Sequence, residues 1–211
     1  MICEAAEFKP EISIILPITD SANLSAHLNN IFELDFPDFE LILINCGSRV
    51  QIPALPTNFH VINYPGAAFA DALNLGLEKS SGEYILFKDE TSVLMQNSLD
   101  IAAGFVENSK ADVLHFTGHV QLEDNNGRFI LDDSPELNRD VPIFFNAPEQ
   151  FRAAMWLQNK LSRRLDTKLF RKEFLMRHEI KFDGDLSEFL FRALIYAKNY
   201  LIVPQAFSII R

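Results

Sequence analysis

Short apolar runs alternate with helical patterns along this chain, and the alternation leaves few folds open. The first run, residues 12–18, is rich in isoleucine and ends in polar residues, which predicts a buried strand. Leu24, Leu28 and Ile31 follow at the spacing of one helical face. Strands that are apolar throughout are typical of a parallel sheet covered by helices on both faces.

The same alternation continues along the chain. Further strands are predicted at residues 39–44, 59–63, 83–87, 113–120, 128–131 and 200–203, and further helices at residues 67–79, 96–107, 149–161, 167–177 and 186–199. Residues 124–127, Asp-Asn-Asn-Gly, are typical of a hairpin turn. The predicted fold class is α/β, a Rossmann-like, mostly parallel sheet flanked by helices, with a helical C-terminal part. We expect one domain over residues 1–211.

Ligands bind sheets of this kind beyond the carboxyl ends of the strands. The residues that follow Ile18, Ile44 and Phe87 are therefore the first candidates for function.

Charge and cysteine content exclude several classes of function. The formal net charge is −10, whereas nucleic acids and anionic membranes both need a basic docking surface. Cys3 and Cys46 are the two cysteines and lack the spacing of a zinc site, which fits a reducing cytoplasm. The N-terminus lacks the pattern of a signal peptide, and no run reaches the roughly 18 apolar residues of a membrane span. We expect a cytoplasmic protein without a transmembrane segment or a nucleic-acid partner.

Three segments carry a family resemblance. They are residues 12–17 with 39–44 and Gly47-Ser48, residues 72–77 (ALNLGL) with 81–89 (SGEYILFKD), and residues 168–175 (KLFRKEFL) with 180–182 (IKF). In this order they resemble glycosyltransferase family 2, whose members have the GT-A fold. The resemblance implies transfer of a sugar from a nucleotide diphosphate donor to a saccharide or envelope-polysaccharide acceptor.

The resemblance places a donor site at the strand ends. Asn45 and Cys46 stand where the family usually has two aspartates that reach the base and ribose. Asparagine can still hydrogen-bond a nucleobase, whereas we expect Cys46 to be structural. Pro17 and Thr19, at the end of the first strand, are also expected to bind the donor.

The resemblance also implies a divalent cation, Mg²⁺ or Mn²⁺, that bridges the donor phosphates. The metal-binding DxD motif of the family aligns with Asp89-Glu90-Thr91, so Asp89 and Glu90 are the predicted ligands, and Asp89 is also expected to contact the donor. Thr91 replaces the second aspartate, and in an extended turn Glu90 would point away from Asp89. The alternative is a solvated acidic turn.

Positive charge near the diphosphate is expected from Lys88. The family often has a basic residue just before the asparagine of the second segment, but this chain has Leu73 there. Leu73 forms an ordinary core stripe with Phe69 and Leu77. Lys88 is therefore predicted to bind the donor, and the alternative is a strand-end lysine that faces water.

Glu188 is the predicted catalytic base. An inverting transferase needs a carboxylate to accept the proton of the acceptor hydroxyl, and Glu188 followed by Phe191 resembles the "ED" motif that supplies it. The alternative is an ordinary helix start, with Asp185 or Ser187 as the N-cap.

Two aromatic features leave alternatives open. His115 and His119 would lie on one face of a strand, and without a nearby carboxylate motif we interpret them as structural. Trp156 could stack on an acceptor sugar or lie in the core of a helix packing.

The altered motifs keep a second function open, a degenerate GT-A-like domain that acts as a binding or assembly module. A nucleotide-sugar pyrophosphorylase is disfavoured, because no Gly-rich basic loop follows the first strand.

Overall fold

The computed structural model describes residues 10–20, 24–48, 50–116, 119–124, 127–132, 141–205 and 207–210 of the chain. The strands are β1 (Ile12–Ile18), β2 (Phe39–Asn45), β3 (Phe59–Asn63), β4 (Tyr84–Phe87), β5 (Ser92–Leu94), β6 (Val113–Phe116), β7 (His119–Asp124), β8 (Gly127–Asp132), β9 (Ile143–Phe144), β10 (Lys168–Arg171), β11 (Tyr200–Val203) and β12 (Ser208–Ile210). The helices are α1 (Leu24–Phe32), α2 (Phe69–Lys79), α3 (Ser98–Ser109), α4 (Glu149–Leu157), α5 (Lys172–Arg177) and α6 (Leu186–Tyr196).

Eight strands form the central sheet, in the order β3-β2-β1-β4-β10-β6-β11-β9. All of them run in one direction except β10 and β9, which are antiparallel to their neighbours. The predicted fold class, a mostly parallel α/β sheet flanked by helices with a helical C-terminal part, is confirmed.

The two faces of the sheet bury alternate side chains of the same strands. Ile15 of β1 packs in a cluster with residues of α2, α4, α5 and α6, whereas Ile14 and Leu16 pack with α1 and α3. Every residue of β1 and β2 is buried, which explains why these strands are mostly apolar and lack a polar alternate face.

β10 corrects the prediction of a helix over residues 167–177. Residues 168–171 form a central strand, and the helix begins only at Lys172. Leu169 and Phe170 are fully buried on opposite faces of the sheet, between β4 and β6. Two apolar residues between basic ones fit a helix or a buried strand equally well, and the state depends on the elements that pack against them.

The predicted strand over residues 113–120 is divided into β6 and β7. β7 pairs with β8 in a separate two-stranded sheet, with Asp124 opposite Gly127, so the predicted hairpin is confirmed. The short strands β5, β9 and β12 were not predicted, because segments of two or three residues carry no periodic signal.

The buried His115 makes the stability of the fold depend on pH, and this dependence can be measured. This residue of β6 is fully buried, its Nδ1 lies 3.1 Å from the Tyr200 hydroxyl, and burial lowers its pKa well below 6.5. Below pH 6.5 the unfolded chain therefore binds a proton that the folded protein does not, so the free energy of unfolding falls as pH falls. The contribution is about 1.4 kcal/mol per pH unit.

We expect the His115→Phe variant to lose this part of the pH dependence. Urea unfolding between about pH 7.5 and pH 5.5 measures it, and the quantity compared is the slope of stability against pH, since the variant also leaves the Tyr200 hydroxyl without His115. Parallel slopes in the two proteins would contradict the prediction.

Candidate donor site

A cavity of about 160 Å³ lies where β4 ends. Its lining residues are Phe69, Leu73, Phe87, Lys88, Asp89, Arg163, Arg164, Leu165, Asp166 and Leu186. It is at the edge where the parallel strands have their carboxyl ends, as expected for this class of sheet. Leu73 is fully buried, so the predicted core role is correct, and the same side chain forms part of the cavity wall.

The turn after β4 is closed by its own side chains. Asp89 Oδ1 accepts hydrogen bonds from the backbone N–H of Thr91 at 2.9 Å and from its hydroxyl at 2.8 Å. Glu90 Oε1 accepts from the backbone N–H of Thr19 at 2.8 Å. The residue that replaces the second aspartate therefore binds the first one, and Glu90 is directed to the end of β1.

This arrangement fits a divalent cation poorly. Asp89 lines the cavity and keeps one carboxylate oxygen outside these bonds, but Glu90 already serves the Thr19 N–H. Among the described residues, no three His, Cys, Asp or Glu side chains come together as a group that could hold a metal. A metal bound by Asp89 and Glu90 together stays a prediction that these contacts do not favour.

Lys88 is buried, so the alternative of a lysine facing water is wrong. Its side chain is 1% exposed, and its ammonium group donates to the carbonyl oxygens of Asp89, at 3.0 Å, and Ser92. Burial lowers the pKa of Lys88 to about 8. Its ammonium group bridges the two ends of the turn that carries Asp89.

His27 packs against this lysine from α1. Its Nδ1 lies 3.5 Å from Lys88 Nζ, and its pKa is lowered by burial and then by the Lys88 charge. His27 is itself buried.

The ends of β1 and β2 hold the other predicted donor residues. Pro17 is buried within β1, and Thr19 is exposed just beyond it. Asn45, at the end of β2, donates through Nδ2 to Asn63 Oδ1 of β3 at 2.9 Å. Its own Oδ1 is buried without a hydrogen-bond partner among the described residues, and it could accept a bond from a ligand.

Cys46 is buried next to Asn45, as expected for a structural residue. Its backbone N–H donates to the Ile18 carbonyl at 2.8 Å, and burial raises the pKa of the thiol. The side chain belongs to the apolar cluster on the α2 face of the sheet.

Three charged residues of the cavity were not predicted from the sequence as site residues: Arg163, Arg164 and Asp166. They precede β10, and because β10 is antiparallel, the residues before it lie at the carboxyl edge of the other strands. A helix predicted at residues 167–177 gave no reason to place them there. A buried strand at residues 168–171 was the signal that could have located them.

These residues are held by partners on several elements. Arg163 lies over the Trp156 ring at 4.8 Å and donates to the Trp156 carbonyl at 3.3 Å. Arg164 pairs with Asp166, which is 1% exposed and also accepts from the Ser208 hydroxyl at 3.1 Å. Trp156 itself is buried in the core on α4, so the core alternative is correct.

Glu188 occupies an exposed position in the first turn of α6. Asp185 caps this helix by accepting from the backbone N–H of Ser187 at 2.8 Å, as the structural alternative proposed. Leu186 lines the cavity, whereas Glu188 is outside the described lining. The structure thus brings Lys88 and Asp89 together at one cavity, whereas Glu188 is not among the residues that line it.

The structure has an α/β fold of the GT-A type, with a cavity at the carboxyl ends of the strands. The family model for glycosyl transferase family 2 matches residues 13–178, and the chain belongs to that family. No helix among the described residues is long and apolar enough to cross a membrane.

Known proteins agree with this assignment at the level of the fold. TarS of S. aureus (residues 1–349) superposes with a TM-score of 0.73 at 20% identity, covering 95% of this chain and 60% of that one. Its complex with UDP-GlcNAc gives 0.72 at 19% identity, over 94% of this chain and 58% of that one. A mannosyltransferase of Pyrobaculum calidifontis, solved with GDP-Man and Mn²⁺, gives 0.61 at 14% identity, over 96% of this chain and 57% of that one.

A curated relative is an uncharacterized glycosyltransferase of Rickettsia bellii (strain RML369-C). It is 26% identical over 148 residues, which is 63% of this chain and 21% of the relative. The chain therefore spans about a fifth of that relative and about three fifths of the solved TarS chain.

Proposed function

We propose that this chain binds a nucleotide diphosphate sugar and transfers the sugar to a saccharide acceptor. The observation that carries the proposal is the cavity at the carboxyl end of β4, where Asp89 and several cationic side chains surround a space of about 160 Å³. Relatives of the same fold were solved with UDP-GlcNAc and with GDP-Man and Mn²⁺, which supports a sugar nucleotide as the ligand class. An envelope polysaccharide is the acceptor class that the family resemblance favours.

The proposed roles follow the strand ends. Asn45, with Oδ1 free of protein partners among the described residues, contacts the base, and Pro17 and Thr19 line the same edge. Asp89 and the cationic residues lie nearest the diphosphate. Any Mg²⁺ or Mn²⁺ would be held by Asp89 and would offset phosphate charge.

Glu188 is the proposed base for the transfer step. Glu188 is exposed, two residues along α6 from the cavity residue Leu186, so an acceptor can approach it from solvent. The acceptor hydroxyl gives its proton to Glu188, and its oxygen forms a bond to the anomeric carbon. The bond from that carbon to the diphosphate oxygen breaks, and the nucleoside diphosphate leaves with the electron pair.

A binding module without turnover is the second candidate, and the Asp89–Thr91 contact is the observation that favours it. Thr91 donates both its backbone N–H and its hydroxyl to Asp89 Oδ1, so one of the two carboxylate oxygens of Asp89 is already engaged. Release of UDP or GDP from a panel of sugar nucleotides, in the presence of saccharide acceptors, separates the two candidates. A binding module would bind the sugar nucleotide but would not cleave it to UDP or GDP.

Calorimetry with UDP and GDP tests ligand binding directly. We expect the wild-type chain to bind one of them, and we expect any increase in affinity with Mn²⁺ to disappear in Asp89→Ala, because Asp89 offers the carboxylate oxygen at the cavity. Asp100→Ala, at an exposed position in the first turn of α3, is the matched control. Absence of binding across the nucleoside diphosphates, with and without Mn²⁺, would exclude the proposed function, and an unchanged Mn²⁺ effect in Asp89→Ala would exclude the metal role.

A further inference from the structure

Positive charge is concentrated at one small cavity of an acidic protein. The chain has a formal net charge of −10, yet Lys88, Arg163 and Arg164 all line the cavity that holds Asp89 and Asp166. Three cations beside two carboxylates leave one formal positive charge, which favours an anionic ligand at this place.

Lys88 contributes charge but is not positioned to grip a ligand. Its ammonium group is occupied by the carbonyl oxygens of Asp89 and Ser92 and by the contact with His27. Direct contacts must therefore come from the two arginines, whose planar guanidinium groups match the geometry of phosphate oxygens.

Arg164 has N–H groups beyond the one that pairs with Asp166. One terminal nitrogen of its guanidinium pairs with Asp166, while Nε is buried without a hydrogen-bond partner among the described residues. A buried donor left unpaired is unfavourable and uncommon in folded proteins. Arg164 lines the cavity, and a guanidinium has five N–H donors, so its pair with Asp166 leaves donors for a ligand that enters the cavity.

Arg163 is held ready by a different contact. Its guanidinium carbon lies over the Trp156 ring, 4.8 Å from the ring centroid, one terminal nitrogen donates to the Trp156 carbonyl, and the residue is exposed at the cavity. Stacking on an aromatic face fixes the plane of the guanidinium and keeps edge N–H groups open to a ligand.

We infer that Arg163 and Arg164 bind the diphosphate of the nucleotide, and that they supply the charge for which a divalent cation is usually needed. Two observations support arginine in place of a metal. Glu90 accepts from the Thr19 N–H, and Thr91 donates to Asp89, so both acidic side chains of the turn are already engaged. On α2 the cavity is lined by Leu73 where the family often has a basic residue, so α2 supplies no positive charge at that position. The inference rests on the proposed function. It assigns the positive charge that the diphosphate needs to Arg163 and Arg164, in the segment before β10.

Calorimetry with UDP and GDP, in EDTA and in Mn²⁺, tests the inference. We expect wild-type binding to persist in EDTA and to change less than about threefold with Mn²⁺, well below the effect of a full charge-assisted contact. Arg163→Ala and Arg164→Ala should each weaken binding in EDTA by roughly 10- to 100-fold, the range for a hydrogen bond to a charged group. Lysine at either position should recover part of the loss, because it keeps the charge without the fork.

Controls separate binding from folding. Arg177→Ala removes an exposed arginine of α5 that pairs with Glu173, and we expect unchanged nucleotide affinity. Arg164→Ala leaves Asp166 without its cation, so thermal unfolding is measured for each variant, and Arg163→Ala gives an independent reading because its described contacts are with Trp156.

Wild-type binding that both arginine variants retain, or binding that disappears in EDTA, would overturn the inference while leaving the proposed function standing. Absence of binding by the wild-type chain under both conditions would overturn both.

Discussion

Sugar transfer by the Glu188→Gln variant is expected to fall by roughly 10²- to 10⁴-fold, the usual contribution of a general base. Glutamine keeps the size and hydrogen-bonding reach of glutamate but cannot take the proton of the acceptor hydroxyl. Because Glu188 is exposed and outside the described cavity lining, the change should leave nucleotide affinity intact. The expected signature is a loss of turnover with unchanged calorimetric binding.

Steady-state release of UDP or GDP under saturating donor measures the effect. Glu173→Gln, at an exposed position on α5, provides the matched removal of one carboxylate, and its turnover should remain that of the wild-type chain. Normal turnover in Glu188→Gln would rule out this residue as the base. The base would then have to be sought among other carboxylates at the same edge, Asp89 and Asp166 first.

The second large effect is expected at Gly82, which lies just before β4, at the end of the strands opposite to the cavity. A Cβ placed there would lie 2.6 Å from Ser13 Oγ, 2.7 Å from Ser13 N and 2.9 Å from Ile12 C, so backbone of β1 would have to move. The Gly82 N–H also donates to Ser13 Oγ at 2.8 Å, in a buried network around Glu40. We expect Gly82→Ala to lower the free energy of unfolding by about 3 kcal/mol or more.

Urea unfolding of Gly82→Ala beside Gly104→Ala makes the comparison sharp. Gly104 lies in α3, and a Cβ added there meets no atom within 4 Å, so this variant should gain up to about 1 kcal/mol from the better helix propensity of alanine. Equal stabilities for the two variants would show that the close approach of Gly82 to β1 has no energetic weight.

The parts of the fold that the sequence predicted well are those with one strong local signal. β1 and α1 follow directly from a continuous apolar run and a helical stripe. Residues 168–171 contain only two apolar residues, Leu169 and Phe170, between a lysine and an arginine, and their state depends on β4 and β6, which are distant in the chain. The helical prediction failed there because local pattern does not encode a partner strand.

The site divides in the same way. Asp89 and Lys88 were identified because they directly follow a recognisable strand, and both line the cavity. The burial of Lys88 was missed, since it depends on α1 and on the carbonyl oxygens of the next turn. Arg163 and Arg164 were missed because their position follows from the direction of β10, which residue types alone do not specify.

The central place of β10 also bears on how the chain folds as it is synthesised. β4 and β6 are each bonded to β10 in the sheet, so neither has that neighbour until residues 168–171 have left the ribosome. Until then the nascent chain can form the partial sheet β3-β2-β1-β4, in which β4 is an unpaired edge, whereas β6 lacks both β10 and the later strand β11. Unpaired strands of this kind are open to pairing with other chains. The segment that brings the arginines to the cavity is thus also the one that joins the two halves of the sheet.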